Sequence, residues 1–320
     1  MEIFRKIGKD IGSFDRVEDA LTEVGLNWNV RKIPVFADID GNTEQVKDAF
    51  LNVREDTGQQ MGVVGNRYNV IQNAETFSVI NPLLEDGKIK IENAGSFDEG
   101  RRVWLQAKIG DEINPVSGDP IEKYAIFYNS FDGSSGTGVA ITPLRVWCQN
   151  MLRAAINKGD RKIALRHTLN YKKRLDEAYY IFNNVNNYFD FFEEEMKFLS
   201  NNTIDIKTAN IFVDKFIPLP DTKQQGTIDS AKRNRETLRQ LIESGKGMDI
   251  PGVRGTAYGL YNAAVEYTQF HKRIKGKDFT QEQKLSKRAE SMIFDSTLDK
   301  SARRAETLAM RAAKGTLVTV

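Results

Sequence analysis

The chain predicts an α+β fold, with an antiparallel sheet and packed helices in its N-terminal half and helices throughout its C-terminal half. Three observations carry this. Strand-like runs dominate up to about Pro143, helical runs dominate after it, and the two kinds do not alternate as parallel βαβ units would. The 320 residues allow one large domain or two ordinary ones. A division into 1–174, a β-rich core with a basic helix, and 175–320, a helical part, is the expectation, with no Pro/Gly-rich linker to mark it.

In chain order, Phe14–Val24 places Val17, Leu21 and Val24 on one helical face, and Gly25 stops it. Trp28–Phe36 alternates apolar and polar residues until Pro34 breaks the run. Asp38–Asn42 holds the Asp-Gly turn signal. Val46–Arg54 and Met61–Val64 read as two strands. Asn73 is a candidate cap for a helix over Ala74–Leu84, weakened by Pro82.

Ile89–Ala94, Arg102–Ile109, Lys123–Ser130 and Val139–Pro143 are further strands. In Arg102–Ile109, alternation puts Val103, Leu105, Ala107 and Ile109 on one side and Arg102, Trp104, Gln106 and Lys108 on the other. Helices are then expected at Val146–Ile156, Leu175–Leu199, Thr208–Phe216, Ala231–Ser244, Thr256–His271 and Gln281–Lys314.

Composition limits the function classes. A net charge of +2 does not by itself announce a nucleic-acid binder, so the distribution of charge matters more. One cysteine, Cys148, excludes an intrachain disulfide, and with only His167 and His271 beside it a Cys/His zinc site is not expected. No stretch approaches the roughly 20 apolar residues of a membrane helix, and the N-terminus lacks the apolar core of a signal peptide. A cytoplasmic protein with no membrane partner and no cofactor is therefore expected.

The order of several long patterns resembles the phage/plasmid-like protein family of unknown function. They are GVVGNRYNVIQNAETF, IENAGSFDEGRRVWLQAKI, FYNSFDGSSGTGVAITPLRVWCQNMLRAAI, ALRHTLNYKKRLDEA and GVRGTAYGLYNAAVEYTQFH. Phe131 and Trp147 depart from that family, which usually has His and Val there. A second, distant similarity rests on a helix, three antiparallel strands and a helix with basic residues. That order is similar to the core of ring-forming single-strand annealing proteins, which hold the DNA backbone between sheet and helix.

The strongest charge signal is the run Arg145, Arg153, Lys158, Arg161, Lys162, Arg166, Lys172, Lys173 and Arg174, broken by one acid, Asp160. Such a field favours a polyanion, because each neutralised phosphate releases condensed counterion. A solvated face balanced by Glu193–Glu195 is the alternative. Arg101, Arg102 and Lys108 would line the sheet side. Trp104 or Tyr128 would stack bases there, or Trp104 would instead pack beneath a helix.

The loop Asp132–Gly138 is a phosphate cradle or, more simply, a hairpin turn, and it is not a Walker A loop. Asp132, Glu75 and Glu92 match no metal-binding spacing. His167 lacks a nearby carboxylate partner, and Cys148 sits on an apolar helix as a small hydrophobe, so no catalytic residue is nominated.

The aromatic stretch Tyr179–Phe198 reads as core or as a subunit interface. The expectation is a non-enzymatic single-stranded DNA-binding and annealing protein, a head-to-tail homo-oligomer in ring or filament form. A phage assembly subunit or host-defence antagonist is the other reading.

Overall fold

The computed structural model describes residues 2–12, 14–145, 163–164, 171–274, 279–294 and 296–318. Its strands are β1 Lys9–Asp10, β2 Val30–Ile39, β3 Asn42–Arg54, β4 Gln60–Gly65, β5 Ile89–Phe97, β6 Arg102–Ile109, β7 Ile121–Ser130, β8 Gly138–Arg145 and β9 Ile163–Ala164. Its helices are α1 Glu2–Ile7, α2 Val17–Glu23, α3 Asn73–Phe77, α4 Asn81–Glu85, α5 Tyr171–Ser200, α6 Ile206–Phe216, α7 Gln225–Ser244, α8 Ala257–Glu266, α9 Gln281–Phe294 and α10 Ser296–Ala313. The α+β expectation holds.

The main sheet runs β1-β5-β6-β7-β8-β9, and every pair in it is antiparallel. Both of its faces are covered. Val103, Leu105 and Ala107 of β6 join a core built with α2, α3, α4 and α5. Trp104 of β6, Ile126 and Tyr128 of β7, and Ala140 of β8 join a second cluster with Ile3 and Phe4 of α1 and Ala289, Met292 and Ile293 of α9. The first core continues into the helical half, through Phe189 of α5 to Tyr258 of α8 and Leu308 of α10.

All ten residues of α8 are buried. A side chain on its Gly259 would put Cβ 2.4 Å from the Val253 carbonyl oxygen, so the glycine is what lets the preceding turn close over the helix. Thr256 caps this helix by accepting a hydrogen bond from the Gly259 amide, and Tyr258 ties it back toward the sheet by donating to Asp119 at 2.8 Å.

A second sheet, β2-β3-β4, projects a hairpin arm. Asp40 and Gly41 both take positive φ (53° and 85°), as a tight two-residue hairpin turn requires. Residues 38–48 are exposed throughout. Pro34 does not end β2, because β2 is an edge strand and a missing N–H there leaves no ladder gap inside the sheet.

Two local readings need correction. The expected helix Ala74–Leu84 is three pieces: α3, a 3₁₀ turn Ser78–Ile80, and α4 with Pro82 in its first turn. Pro82 has no N–H for an i−4 bond, so the helix restarts where that donor is not needed. Asn73 is no cap either, since its side chain is buried and donates to the Leu26 carbonyl at 3.0 Å. The helix expected at Val146–Ile156 lies outside the described residues.

Candidate nucleic-acid interface

The sheet face nominated for DNA is a covered face. Trp104 is 0% exposed. Its indole lies edge-on to Phe4, with ring centroids 4.9 Å apart, and is stacked near Phe97 at 6.1 Å. Two glycines make the slot. A Cβ on Gly95, its direct partner across the ladder, would fall 2.7 Å from Trp104 Cζ2, and one on Gly8 would fall 2.6 Å from Cη2. Tyr128 is 2% exposed and meets the edge of Phe294 of α9. Neither ring presents a face to a base, so the stacking role expected for Trp104 or Tyr128 is replaced by a packing role. The cause is that α1 and α9 close this side of the sheet.

The sheet-side bases are mostly engaged. Lys108 donates to Glu122 at 2.7 Å. Beside that pair, Tyr124 donates to Glu92 at 2.6 Å and Arg5 to the same carboxylate oxygen at 3.0 Å. Burial, and then the Glu92 carboxylate, push the Tyr124 phenol far above its ordinary range. Arg101 is exposed and makes one long contact, 3.5 Å to the Gln60 carbonyl.

Arg102 sits at the centre of a charged cluster where the segments IENAGSFDEGRRVWLQAKI and FYNSFDGSSGTG meet. The turn before β6 holds Asp98 and Glu99 at positive φ (47° and 57°), a conformation costly for residues with side chains. The loop from Phe131 to Gly138 joins β7 to β8. Arg102 donates to Asp132 at 3.0 Å and pairs with Glu290 of α9. Lys287 of α9 pairs with Asp98 at 3.1 Å and with Glu290 at 2.8 Å.

Asp132 accepts hydrogen bonds from the hydroxyls of Ser130 and Ser134 and from the Ser134 amide. Burial alone would raise its carboxyl, but those hydrogen bonds and the Arg102 charge outweigh burial and hold it below the usual range. A cleft of about 420 Å³ opens here, lined by Asp98, Arg102, Ser134, Ser135, Lys287, Glu290, Ser291 and Phe294.

With Asp132 at the rim, three carboxylates face two cations, so this cluster is not a polyanion site. It fastens α9 over the aromatic face. Glu290 and Lys287 stand nearly 190 residues from their partners, and only the fold could reveal them. The Asp132 loop is a hairpin connection whose carboxylate is consumed by its own turn. Glu92 and Asp132 serve separate networks, and among the described residues no His, Cys, Asp or Glu group could hold a metal ion.

Arg153, Lys158, Arg161, Lys162 and Arg166, with Cys148 and His167, fall outside the described residues. Arg145 ends β8, with its backbone opposite Ile121, and Lys172 and Lys173 lie in the first turn of α5. Between them, Ile163–Ala164 returns to pair with Val139 and Gly138 at the start of β8. Among its described residues, the stretch Arg145–Arg174 therefore joins the main sheet at Arg145 and at Ile163–Ala164. It holds nine bases and one acid, which leaves 37 bases against 43 acids, net −6, in the rest of the chain.

Among the described residues, no helix is long and apolar enough to cross a membrane. No curated protein and no solved structure matches the chain. One family model does match, over residues 60–290, the span that contains β4 to β9, α3 to α8 and nearly all of the Arg102 cluster, and the chain accordingly belongs to the family defined by the domain of unknown function DUF932.

Proposed function

We propose that this chain is a non-catalytic single-stranded DNA-binding protein that promotes annealing of complementary strands, with Arg145–Arg174 as its phosphate-contacting segment. The observation that carries this reading is the charge partition: a local +8 against −6 everywhere else. A polyanion is the partner such a segment favours, and sequence-independent phosphate contact is what annealing needs. The mechanism requires no cofactor. Backbone charge is neutralised, the strand is held open, and a complement pairs with it. The sheet pairs with the segment at Arg145 and at Ile163–Ala164, and the buried Trp104 and Tyr128 rings supply no stacking surface.

The test is fluorescence anisotropy with a labelled oligonucleotide across a salt series, followed by an annealing assay with its complement. Each phosphate contact on a single strand contributes about −0.7 to the slope of log K against log salt. Reversing charge at Arg153, Arg161 and Lys162 together should therefore flatten the slope by about 2. No binding by the parent protein at low salt, or an unchanged slope in the triple variant, rejects the proposal. The second reading, a non-enzymatic interaction subunit, draws on the exposed arm over residues 38–48, which carries Phe36 at its base and Ile39 and Val46 along it.

A further inference from the structure

The helix α5 buries one face and leaves another apolar. Ala178, Ile181, Val185, Phe189, Phe192, Met196 and Leu199 all point into the main core. On the opposite side Tyr180, Phe191 and Phe198 are 53%, 59% and 40% exposed. These three are not scattered. Tyr180, Asn187, Phe191 and Phe198 follow at spacings of 7, 4 and 7 residues, and at 3.6 residues per turn they fall within an arc of about 40°. Asn184 and Glu194 fill the intervening positions of the same seam. This is the a/d pattern of a two-helix contact, on the face its own subunit leaves uncovered.

We infer that the outer face of α5 binds the same face of a second copy of this chain, with the two helices antiparallel about a two-fold axis at the level of Phe189. The argument for a second copy is self-complementarity. Antiparallel pairing sets a positions against d positions. One two-fold axis generates all three layers at once: Tyr180 against Phe198, Asn184 against Glu194 and Asn187 against Phe191, each formed twice. Tyr180 meets Phe198, the Asn187 amide lies against the Phe191 ring, the carboxylate of Glu194 meets the Asn184 amide, and no like charges oppose within the seam.

Parallel pairing about the same face would set Glu194 against its own copy, so it is disfavoured. The inferred contact is isologous, unlike the head-to-tail arrangement expected from sequence, because this surface complements itself. It spans 19 residues, about 28 Å. Six aromatic rings, two near the axis and four at its ends, place it at the small end of specific interfaces, with an expected Kd of roughly micromolar.

The experiment is sedimentation velocity of the full chain from about 1 to 100 μM, a range set to bracket that Kd. A monomer–dimer equilibrium is expected, and Phe191→Asp should weaken it by at least about thirty-fold, as loss of a central aromatic anchor does. Phe191 is largely solvent-exposed in the protomer, so at about 0.1 μM, where both proteins are monomers, the variant's melting temperature should match the parent's, which separates loss of contact from loss of fold. Register is read by mixing an Asn184→Cys chain with a Glu194→Cys chain, both in a Cys148→Ser background. A disulfide between the two different chains is expected, and little within either alone.

A parent protein that stays monomeric at 100 μM overturns the inference, as does a dimer that survives Phe191→Asp or self-linking of each cysteine variant. Oligonucleotide anisotropy on Phe191→Asp keeps the DNA reading separate. Retained binding by a monomer leaves that reading standing, and absent binding by an intact dimer removes it alone.

Discussion

Trp104 offers a sharp test of the assignment of the sheet face to packing and not to DNA. The perturbation is Gly95→Ala. The new Cβ would lie 2.7 Å from Cζ2, 3.0 Å from Cε2 and 3.2 Å from Nε1 of the indole. Real contacts do not close to 2.7 Å, so the ring must shift, and Phe4, Phe97 and Gly8 leave it nowhere to go. Overpacking of this kind costs about 1–3 kcal/mol.

The atoms that collide belong to the far ring and pyrrole edge of tryptophan, which phenylalanine lacks. Trp104→Phe alone should cost about 1–2 kcal/mol for the space it leaves. The indole Nε1 has no hydrogen-bond partner, so no polar contact is lost with it. In the double variant the alanine penalty should largely vanish, giving a coupling of about 1–2 kcal/mol in a double-mutant cycle. Urea midpoints by circular dichroism measure all four proteins. If Gly95→Ala is neutral, or if its cost is the same with Phe at 104, the slot does not exist as described. A large loss of oligonucleotide affinity in folded Trp104→Phe would return the ring to a stacking role.

Two further outcomes follow from the charged groups. Arg102→Met leaves Glu290, whose side chain is 9% exposed, without one of its two cations, and should cost about 2–3 kcal/mol in thermal unfolding, whereas Arg102→Met with Glu290→Met should recover much of that loss; equal losses in single and double variants would argue against the pairing. Glu195 is pushed up to about 7 from 4.5 by burial, and then by Glu306. The folded chain therefore holds a proton that the unfolded chain releases, and stability falls as pH rises from about 4.5 to 7. Glu195→Gln should add roughly 1–2 kcal/mol at pH 8, after discounting for partial solvent screening, and almost nothing at pH 4.5; an equal gain at both values would point to packing instead.

The parts of the fold that period and punctuation encode were legible in the sequence. Asp40-Gly41 marked its hairpin, and the alternation in Arg102–Ile109 marked a strand with correct sides. What alternation could not say is that both sides are covered. Arg102, Gln106 and Lys108 look like a solvent face until α1 and α9 are placed over it, and those helices come from opposite ends of the chain. The two glycines that admit Trp104 give a weak signal, since Gly95 is its cross-strand neighbour only once the register is fixed. The Arg102 cluster was half visible: Asp98, Arg102 and Asp132 sit in two of the long patterns that carry the resemblance, whereas Glu290 and Lys287 come from a helix whose sequence shows only mixed charge. On α5 the excess of aromatic residues was plain, and the structure adds their division: Phe189 and Phe192 are buried, Tyr179, Phe182 and Tyr188 pack partly against the core, and Tyr180, Phe191 and Phe198 form an outer stripe.

The division of charge also explains why the described body alone makes a poor polyanion site. Of the three bases nominated on the sheet, Arg102 and Lys108 are already neutralised by carboxylates at hydrogen-bond distance. A phosphate arriving there would have to displace an acid that is covalently held in place, at an effective concentration no free ligand matches. The stretch Arg145–Arg174 is different, because one acid cannot balance nine bases. Its counter-charge must come from the net-negative remainder of the chain or from outside. Surface carboxylates offer weak, salt-screened pairs worth less than about 1 kcal/mol each. A single strand offers closely spaced phosphates and the entropy of released counterions. The same nine bases gain more from the second partner, and the gain shrinks as salt rises, which is why the salt slope, and not affinity at one condition, is the quantity that decides the proposed function.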